Sequence, residues 1–457
     1  MGSAKETTTA GRRTGLTALQ GTAMYIGAVL GTGVIALPAL AADAAGPASL
    51  LAWLALVVLS APLAATFAAL GARHPDAGGV STYARLAFGD RVAGVIGWCF
   101  YLAIPAGASA AALFAGAYVE AAVGGGRTTE TATAAGLMAI VTASNALGIT
   151  VAGRLQFALA GLLVVLLLAS VALSLPHAHT ANLHPFAPHG WTAIGPAAAL
   201  LVWSFAGWEA ITHLAGEFRA PARDIPRATA AAVLVVGVMY LAVAFAVIAV
   251  LGPAAADADA PLGALMARGM GGHAKVLAAV VAVLLTLGAM NAYYAGAAKL
   301  GAALGRDGAF PAWLGRGSLA GEVPRRSLAT VSALAVAALG VVTAARLGVR
   351  PLVLMTTGSF VTVYAVGVAA AVRLLPKHGR HRVAVWGAVV AVAIMLAMSG
   401  RYLLWPAAVT GAALVYLKFR AGRPDRGAGT PVPAASAPPV AAAAVGDGPV
   451  EPTARGS

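Results

Sequence analysis

Residues 201–227 read LVWSFAGWEAITHLAGEFRAPARDIPR, and the organisation of the chain follows from this segment. It begins as an apolar, membrane-type helix, reaches a small-residue break at Ala206 and Gly207, and carries Glu209 while still among apolar residues. An ionisable side chain at bilayer depth costs at least ~2.5 kcal/mol on insertion scales, so it usually faces a cavity or a partner. The segment therefore predicts a functional site, and the alternative is a glutamic acid that only ties helices together.

The composition of the 457-residue chain is that of an integral membrane protein. Hydrophobic residues make up 60% and charged residues 10%, and the mean hydropathy is +0.84. A helix needs about 20 apolar residues to cross the hydrocarbon core of a bilayer. We predict an all-α membrane fold with twelve transmembrane helices, at residues 16–42, 49–71, 92–122, 131–150, 155–175, 192–216, 229–252, 275–303, 327–345, 350–373, 382–399 and 401–418.

The distribution of basic residues explains the net charge of +14 better than nucleic-acid binding does. If the N-terminus is cytoplasmic, 24 of the 30 Lys and Arg residues lie on the inner side. The six on the outer side are Arg127, Arg268, Lys275, Arg346, Arg350 and Arg401. This asymmetry follows the positive-inside rule. It predicts a multi-pass protein of the cytoplasmic membrane with both termini in the cytoplasm, surrounded by lipid and without a nucleic-acid partner.

The ends of the chain and its single cysteine exclude several other features. Residues 1–14 read as a polar cytoplasmic tail, and the span that follows lacks the cleavage site of a signal peptide. Residues 421–457 are rich in Pro, Ala and Gly, which predicts a disordered tail. Because Cys99 is the only cysteine, an intrachain disulfide or a cysteine-based metal site is excluded. We expect no metal and no cofactor.

A second break is predicted in the first span, at Gly31, Thr32 and Gly33. Each glycine weakens a helix by roughly 1 kcal/mol relative to alanine. Irregular backbone at membrane depth occurs only where it lines a cavity or is buried in protein. Taken alone, the small residues also fit a helix-packing face, since Gly27 and Gly31 have Gly-xxx-Gly spacing. Breaks in two spans separated by four others favour an inverted-repeat transporter with its binding site at the midplane.

A pair of broken helices suits a zwitterionic ligand. The N–H groups of Gly31, Thr32 and Gly33 would bind a carboxylate, while carbonyls near Val29 and in residues 205–207 would bind an ammonium. Residues expected around the apolar part of the ligand are Trp203, Phe205, Trp208 and Tyr293. Asn291 joins the candidate site as a polar group that needs a partner inside the bundle. In span three, Trp98, Tyr101, Pro105 and Ser109 could also line a pocket, although core packing is the alternative.

Three motifs resemble those of the amino acid-polyamine-organocation permeases. They are GTGV at 31–34, WSFAGWE at 203–209 and RDGAFP at 306–311. The combination of GPAS at 46–49 with HPDAGG at 74–79 most resembles the bacterial neutral amino acid efflux branch. The resemblance implies a ten-helix core over residues 15–373 that cycles by alternating access. Its two inverted repeats would cover about 15–175 and 192–373, with two peripheral helices at 382–418.

The same resemblance implies roles for individual residues. The first-helix substrate positions fall on Ala28, Val29, Gly31, Thr32 and Gly33, and the sixth-helix positions fall on Trp203, Ala206 and Gly207. Tyr293 falls where arginine-agmatine exchangers have an aromatic gate, and Glu209 falls on their proposed proton-sensing glutamate. Ala28 departs from those exchangers, which have an amide there. That departure argues against an arginine-like substrate.

Two absences bear on the coupling ion. Residues 155–175 lack the lysine of proton-coupled relatives, and residues 288–301 lack the hydroxyl side chains of sodium-coupled members of the wider fold. Glu209 remains the candidate proton carrier, because burial favours its protonated form. We expect a secondary transporter of neutral, apolar amino acids, working by export or proton-linked antiport, as a monomer or homodimer, and not an enzyme. The alternative is an uptake permease or exchanger for cationic amino acids or polyamines.

Overall fold

The computed structural model describes residues 16–75, 79–148, 153–209, 212, 215, 218–271, 274–316 and 323–421. The predicted tail at 1–14 lies outside these ranges, and so does the predicted tail at 421–457 apart from Ala421, which ends the last helix. Within them the structure is helical and has no β-strand, apart from an isolated bridge between Leu16 and Phe218. The chain divides into two units, Met1–Leu417 and Lys418–Ser457. The site described below belongs entirely to the first unit.

The described ranges contain fifteen α-helices. They are α1 (Ala18–Leu30), α2 (Gly33–Ala45), α3 (Ser49–Arg73), α4 (Val80–Phe88), α5 (Asp90–Val123), α6 (Gly126–Ala146), α7 (Gly153–Ser174), α8 (Ile194–Leu201), α9 (Pro221–Leu251), α10 (Pro261–Met270), α11 (Ala274–Arg306), α12 (Arg325–Ala344), α13 (Arg350–Leu374), α14 (Arg380–Ser399) and α15 (Leu404–Ala421). Eight stretches of the described chain are long and apolar enough to cross a membrane. Two of them, Ala18–Arg73 and His381–Arg420, contain more than one helix.

Helix boundaries differ from the predicted spans where a helix begins with polar residues. α9 begins at Pro221, eight residues before the predicted residue 229. Hydropathy misses these eight residues, but proline at the start of a helix and Asp224 in the first turn both favour a helix there. α4 and α10 were not predicted, because they are only nine and ten residues long. Both are too short to span a bilayer.

The helix of the first span is interrupted at residues 31–32. α1 starts with a capping box, in which Thr17 and Gln20 satisfy each other's backbone N–H groups, and it ends at Leu30. Gly31 has φ 0° and ψ −126°, which is not helical, and α2 begins at Gly33. Thr32 precedes α2 without capping it through its side chain.

A second interruption follows α8. A 3₁₀ turn covers Val202–Phe205, Ala206 is extended, and Gly207 has φ +118°. That φ is accessible to glycine but strained for other residues, so the sequence at this point permits the break. Of the predicted continuation, residues 210, 211, 213, 214, 216 and 217 lie outside the described part of the chain. Those residues include His213 and Glu217.

The site is positioned by packing of long helices around α5. α5 contacts α11, α12 and α13, while α9 contacts α1 and α3. Small residues allow close approach of these helices: a Cβ at Gly97 of α5 would lie 2.6 Å from Leu304 of α11. Buried side chains form one continuous apolar core through the first unit. Residues beside both helix breaks belong to it, Leu30 at the first break and Val202 at the second.

Candidate functional site

A small cavity, with a volume of about 50 Å³, lies where the two helix breaks face α5, α11 and α13. Its walls are formed by Ala28, Val29, Thr32, Gly33, Ala103, Ile104, Gly107, Ala108, Ala111, Trp203, Ala206, Ala289, Met290, Tyr293, Thr356 and Phe360. None of these residues carries a formal charge. The polar side-chain groups are the hydroxyls of Thr32, Thr356 and Tyr293 and the indole N–H of Trp203.

Most of the predicted site residues come together in this cavity. Those that line it are Ala28, Val29, Thr32, Gly33, Trp203, Ala206 and Tyr293. Gly31 and Gly207 lie in the breaks but are not part of the lining. The side chain of Phe205 is outside the described structure. These placements bring residues about 175 positions apart in sequence into one wall.

Direct contacts join the two breaks. The indole N–H of Trp203 donates to the hydroxyl of Thr32 at 3.3 Å. A Cβ at Gly33 would lie 2.7 Å from the Ser204 hydroxyl, and a Cβ at Gly207 would lie 3.2 Å from the carbonyl of Ala28. The absence of a side chain at Gly33 lets the two breaks approach this closely.

Tyr240 of α9 connects the same two breaks from behind. Its buried hydroxyl donates a hydrogen bond toward the carbonyls of Val29 and Ser204, the latter at 2.8 Å. Because a hydroxyl has one hydrogen, it donates to one of them at a time. These carbonyls belong to the ends of helical segments, where acceptors lose their intrahelical partners. Tyr240 would therefore compete with the ammonium group of a ligand for the carbonyl of Val29, where the sequence predicts an ammonium site.

Glu209 lies outside the cavity lining, although it is buried at 1% exposure. Its Oε2 accepts hydrogen bonds from the Gly207 N–H at 3.0 Å and from the Tyr364 hydroxyl at 2.6 Å. The Tyr364 ring lies next to that of Phe360, with ring centroids 6.3 Å apart, and Phe360 lines the cavity. The carboxylate is thus linked to both the broken helix and α13. It is positioned to affect the cavity indirectly.

Asn291 is not among the residues that line the cavity. Its side-chain oxygen accepts hydrogen bonds from Asn145 at 2.8 Å and from Ser144 at 3.1 Å, both in α6. Asn291 and Tyr293 are two residues apart on α11 and therefore point in directions about 200° apart. The structure therefore places Asn291 in a hydrogen-bonded contact between α6 and α11, outside the lining of this cavity.

The span-three side chains that we considered also lie outside the cavity lining. The Trp98 indole donates to the carbonyl of Ala309, and the Tyr101 hydroxyl donates to that of Ser327. Ser109 donates to carbonyls of Pro105 and Ala335. These groups secure α5 to its neighbours. Core packing, the alternative reading of these residues, describes them better.

A stripe of small residues on α5 was missed by sequence reasoning. Ala103, Gly107 and Ala111 are spaced by four residues, lie on one helix face, and line the cavity. Thr356 of α13 faces the same stripe, since a Cβ at Gly107 would lie 3.1 Å from its methyl group. The four-residue spacing was visible in the sequence. Alone it could not distinguish a cavity wall from a helix-packing face.

Fold and site define a class of protein: an α-helical, multi-pass membrane protein with an uncharged internal cavity beside two interrupted helices. A family profile described as "Amino acid permease" matches residues 16–445. This chain belongs to that amino acid permease family, within the amino acid-polyamine-organocation superfamily, and the resemblance noted from its motifs is confirmed. Members of the family are transporters of amino acids rather than enzymes.

Individual relatives cover nearly the whole chain. An uncharacterized amino acid permease of Bacillus subtilis (strain 168), YecA, is 33% identical over 414 residues, which is 89% of this chain and 96% of the relative. An L-methionine/branched-chain amino acid exporter of Escherichia coli (strain K12), YjeH, is 33% identical over 388 residues, covering 83% of this chain and 90% of the relative. An uncharacterized transporter of Mycobacterium tuberculosis is 34% identical over 376 residues, covering 81% and 82%.

Proposed function

We propose that this permease is a secondary active transporter of neutral, apolar amino acids, which it exports or exchanges for protons by alternating access. The observation that carries the proposal is the uncharged cavity bounded by both helix breaks. A cationic substrate would need a carboxylate in the cavity, because an unpaired charge is costly to bury. The Escherichia coli relative is named as an exporter of methionine and branched-chain amino acids, which supports the same substrate class.

In the proposed binding mode the carboxylate and the ammonium group of the substrate form hydrogen bonds with backbone groups of the protein. The N-terminus of α2 opens at Gly33, and the free N–H groups there would bind the carboxylate. The carbonyls of residues 205–207 would accept from the ammonium. The apolar side chain would then lie against the small residues of α5 and the rings of Tyr293 and Phe360. No charged side chain is required.

Glu209 is the proposed proton carrier. Its Oε2 accepts from the N–H of Gly207, a residue of the break itself. Protonation would weaken the charge-assisted hydrogen bonds from Gly207 and Tyr364. The break would then be less firmly held to α13. Proton binding would in this way alter the cavity without the carboxylate touching the substrate.

We propose twelve membrane crossings with both termini in the cytoplasm. Ala18–Arg73 has 56 residues and His381–Arg420 has 40, so each is long enough for two crossings. α6 and the apolar helix Trp191–Ser204, together with the eight apolar stretches, would complete the count. We further propose two inverted repeats over about 15–175 and 192–373, followed by peripheral helices at 382–418.

Counterflow in proteoliposomes tests the substrate class. Purified protein would be reconstituted into vesicles loaded with unlabelled amino acids, and uptake of labelled leucine or methionine would be followed with and without an imposed pH gradient. We expect exchange of neutral, apolar amino acids that responds to the gradient. Exchange limited to arginine, lysine or polyamines would refute the substrate assignment and favour the uptake or exchange alternative. Leucine exchange that does not respond to the pH gradient would refute proton coupling but would leave the substrate assignment intact.

A further inference from the structure

The segment that joins α11 to α12 concentrates positive charge. From residue 299 to residue 326 the basic residues are Lys299, Arg306, Arg316, Arg325 and Arg326, against Asp307 and Glu322. Lys299 and the four arginines are exposed. Residues 317–322, including Glu322, lie outside the described structure. This is the most basic of the predicted loops between spans.

The structure gathers the arginines at a single turn. The 3₁₀ turn Ala312–Gly315 folds back on the end of α11, where a Cβ at Gly305 would lie 2.7 Å from the N of Gly315. A Cβ at Gly315 would in turn lie 3.0 Å from Cγ of Arg306. Arg326 Nη1 donates to the carbonyl of Trp313 at 3.4 Å, which brings the start of α12 to the same place. We call this surface, formed by Arg306, Trp313, Arg316, Arg325 and Arg326, the basic turn.

An exposed tryptophan lies within the basic turn. Trp313 is 46% exposed, whereas its neighbour Leu314 is buried at 5% exposure and anchors the turn. Tryptophan is enriched at the membrane–water interface, where its ring meets the headgroups. Asp307, the carboxylate that follows Arg306 in sequence, is bonded to Arg85 of α4, with Nη2 to Oδ2 at 2.7 Å. Arg85 therefore compensates the charge of Asp307, and the net charge of the basic turn stays positive.

We propose that the basic turn binds the phosphate of an anionic phospholipid headgroup, with Trp313 inserted at headgroup level. Guanidinium groups bind phosphate oxygens in pairs, which distinguishes such a site from a diffuse positive charge. A basic surface at the ends of two membrane helices meets the headgroup layer, so a lipid is the anionic partner within reach. α11 also supplies Ala289, Met290 and Tyr293 to the cavity. Lipid bound at its end would thereby influence transport.

Native mass spectrometry of the detergent-purified protein tests the proposal directly. The protein would be titrated with phosphatidylglycerol and, in parallel, with phosphatidylcholine. We expect retention of phosphatidylglycerol over phosphatidylcholine, and a loss of roughly fivefold in affinity for each arginine removed in the triple variant R316Q/R325Q/R326Q. The matched control is R219Q/R223Q/R227Q, which removes the same charge from exposed arginines at the start of α9 and should change retention less than twofold.

Two further variants keep the test decisive if the triple glutamine protein fails to insert. R316K/R325K/R326K preserves the charge that sets membrane topology but removes paired guanidinium contacts, and it should retain less phosphatidylglycerol than the unmodified protein. W313A should weaken retention while leaving every charge in place. Equal retention of both lipids, or equal losses in the two triple glutamine variants, would overturn the proposal, because either result describes a non-specific basic surface.

Discussion

At the residue scale, Glu209 and Gly207 share one hydrogen-bonded unit. A single carboxylate oxygen accepts from the backbone of the broken helix and from Tyr364 of α13. Hydrogen bonds to a charged acceptor are worth about 1.5–3 kcal/mol, more than enough to bias the break between two arrangements. The chemistry of the proposed coupling therefore depends on two donors that belong to different helices.

Replacing Glu209 by glutamine should remove the pH dependence of transport while preserving exchange. Glutamine keeps an acceptor oxygen for Gly207 and Tyr364, but it does not titrate between pH 5 and 8. The measurement is leucine counterflow in vesicles over that pH range. A variant that retains the unmodified pH profile would exclude Glu209 as the proton carrier.

Replacing Tyr364 by phenylalanine should shift that pH profile upward. The tyrosine hydroxyl donates a hydrogen bond to the carboxylate of Glu209, so its removal favours the protonated form and the pH profile should move toward higher pH. Y101F is the control, since the Tyr101 hydroxyl of α5 donates to the carbonyl of Ser327 in α12 and not to Glu209. A midpoint that stays in place or moves to lower pH in Y364F would contradict the hydrogen-bond assignment.

Replacing Gly107 by alanine should reduce the size of side chain that the cavity accepts. The added methyl group would lie 3.1 Å from Thr356, which is closer than ordinary contact, and 3.4 Å from the ring of Trp203. We expect KM for leucine or methionine to rise roughly tenfold and KM for alanine to change little, because one methylene is worth about 1–3 kcal/mol in an apolar pocket. G340A, a helix position with no neighbouring atom within 4 Å, is the control. Equal effects on all three substrates would contradict this wall as the side-chain site.

At the element scale, the two breaks behave as one structural unit. Ser204 touches Gly33, Trp203 bonds Thr32, and Tyr240 of α9 approaches carbonyls of both breaks. Unpaired backbone groups are costly in an apolar interior, so these donors are what allow two helices to be interrupted there. A substitution at one break should therefore also alter the conformation of the other.

Replacing Tyr240 by phenylalanine should lower thermal stability and substrate affinity together. A buried carbonyl that loses its donor costs about 1–3 kcal/mol, which corresponds to a fall of a few degrees in Tm. Y294F supplies a matched control: Tyr294 is equally buried, and its hydroxyl has no hydrogen-bond partner among the described residues. Tm by scanning fluorimetry and substrate affinity would be measured for both variants. Similar decreases in Tm and affinity in Y240F and Y294F would argue against a specific role for the Tyr240 hydroxyl.

At the scale of the whole molecule, the proposed topology assigns opposite ends of α12 to opposite sides of the membrane. Cys99 is the only cysteine and is buried at 1% exposure, so the unmodified protein should react slowly with maleimides. On a C99A background, R346C should be labelled by an impermeant maleimide from outside the cell, and R325C only after permeabilisation. Labelling of both from the same side would refute the orientation.

Sequence reasoning succeeded at positions where a local property decides the outcome. The apolar stretches follow from desolvation of each residue, and the interruptions at Gly31–Gly33 and Ala206–Gly207 follow from backbone freedom within a few residues. It could not decide the surroundings of side chains whose partners lie on other helices. Asn291 and Tyr293 are two positions apart, yet Tyr293 lines the cavity and Asn291 bonds to Asn145.

What the sequence by itself determined is a membrane permease with two interrupted helices and a carboxylate, Glu209, beside the second interruption. Only the tertiary structure decided that Gly33 meets Ser204, that Tyr364 is the partner of Glu209, and that small residues of α5 form a cavity wall. The physical reason is the range of the interactions involved. Hydropathy and φ,ψ preference act within a few residues, whereas close packing and hydrogen-bond pairing depend on which helix faces meet.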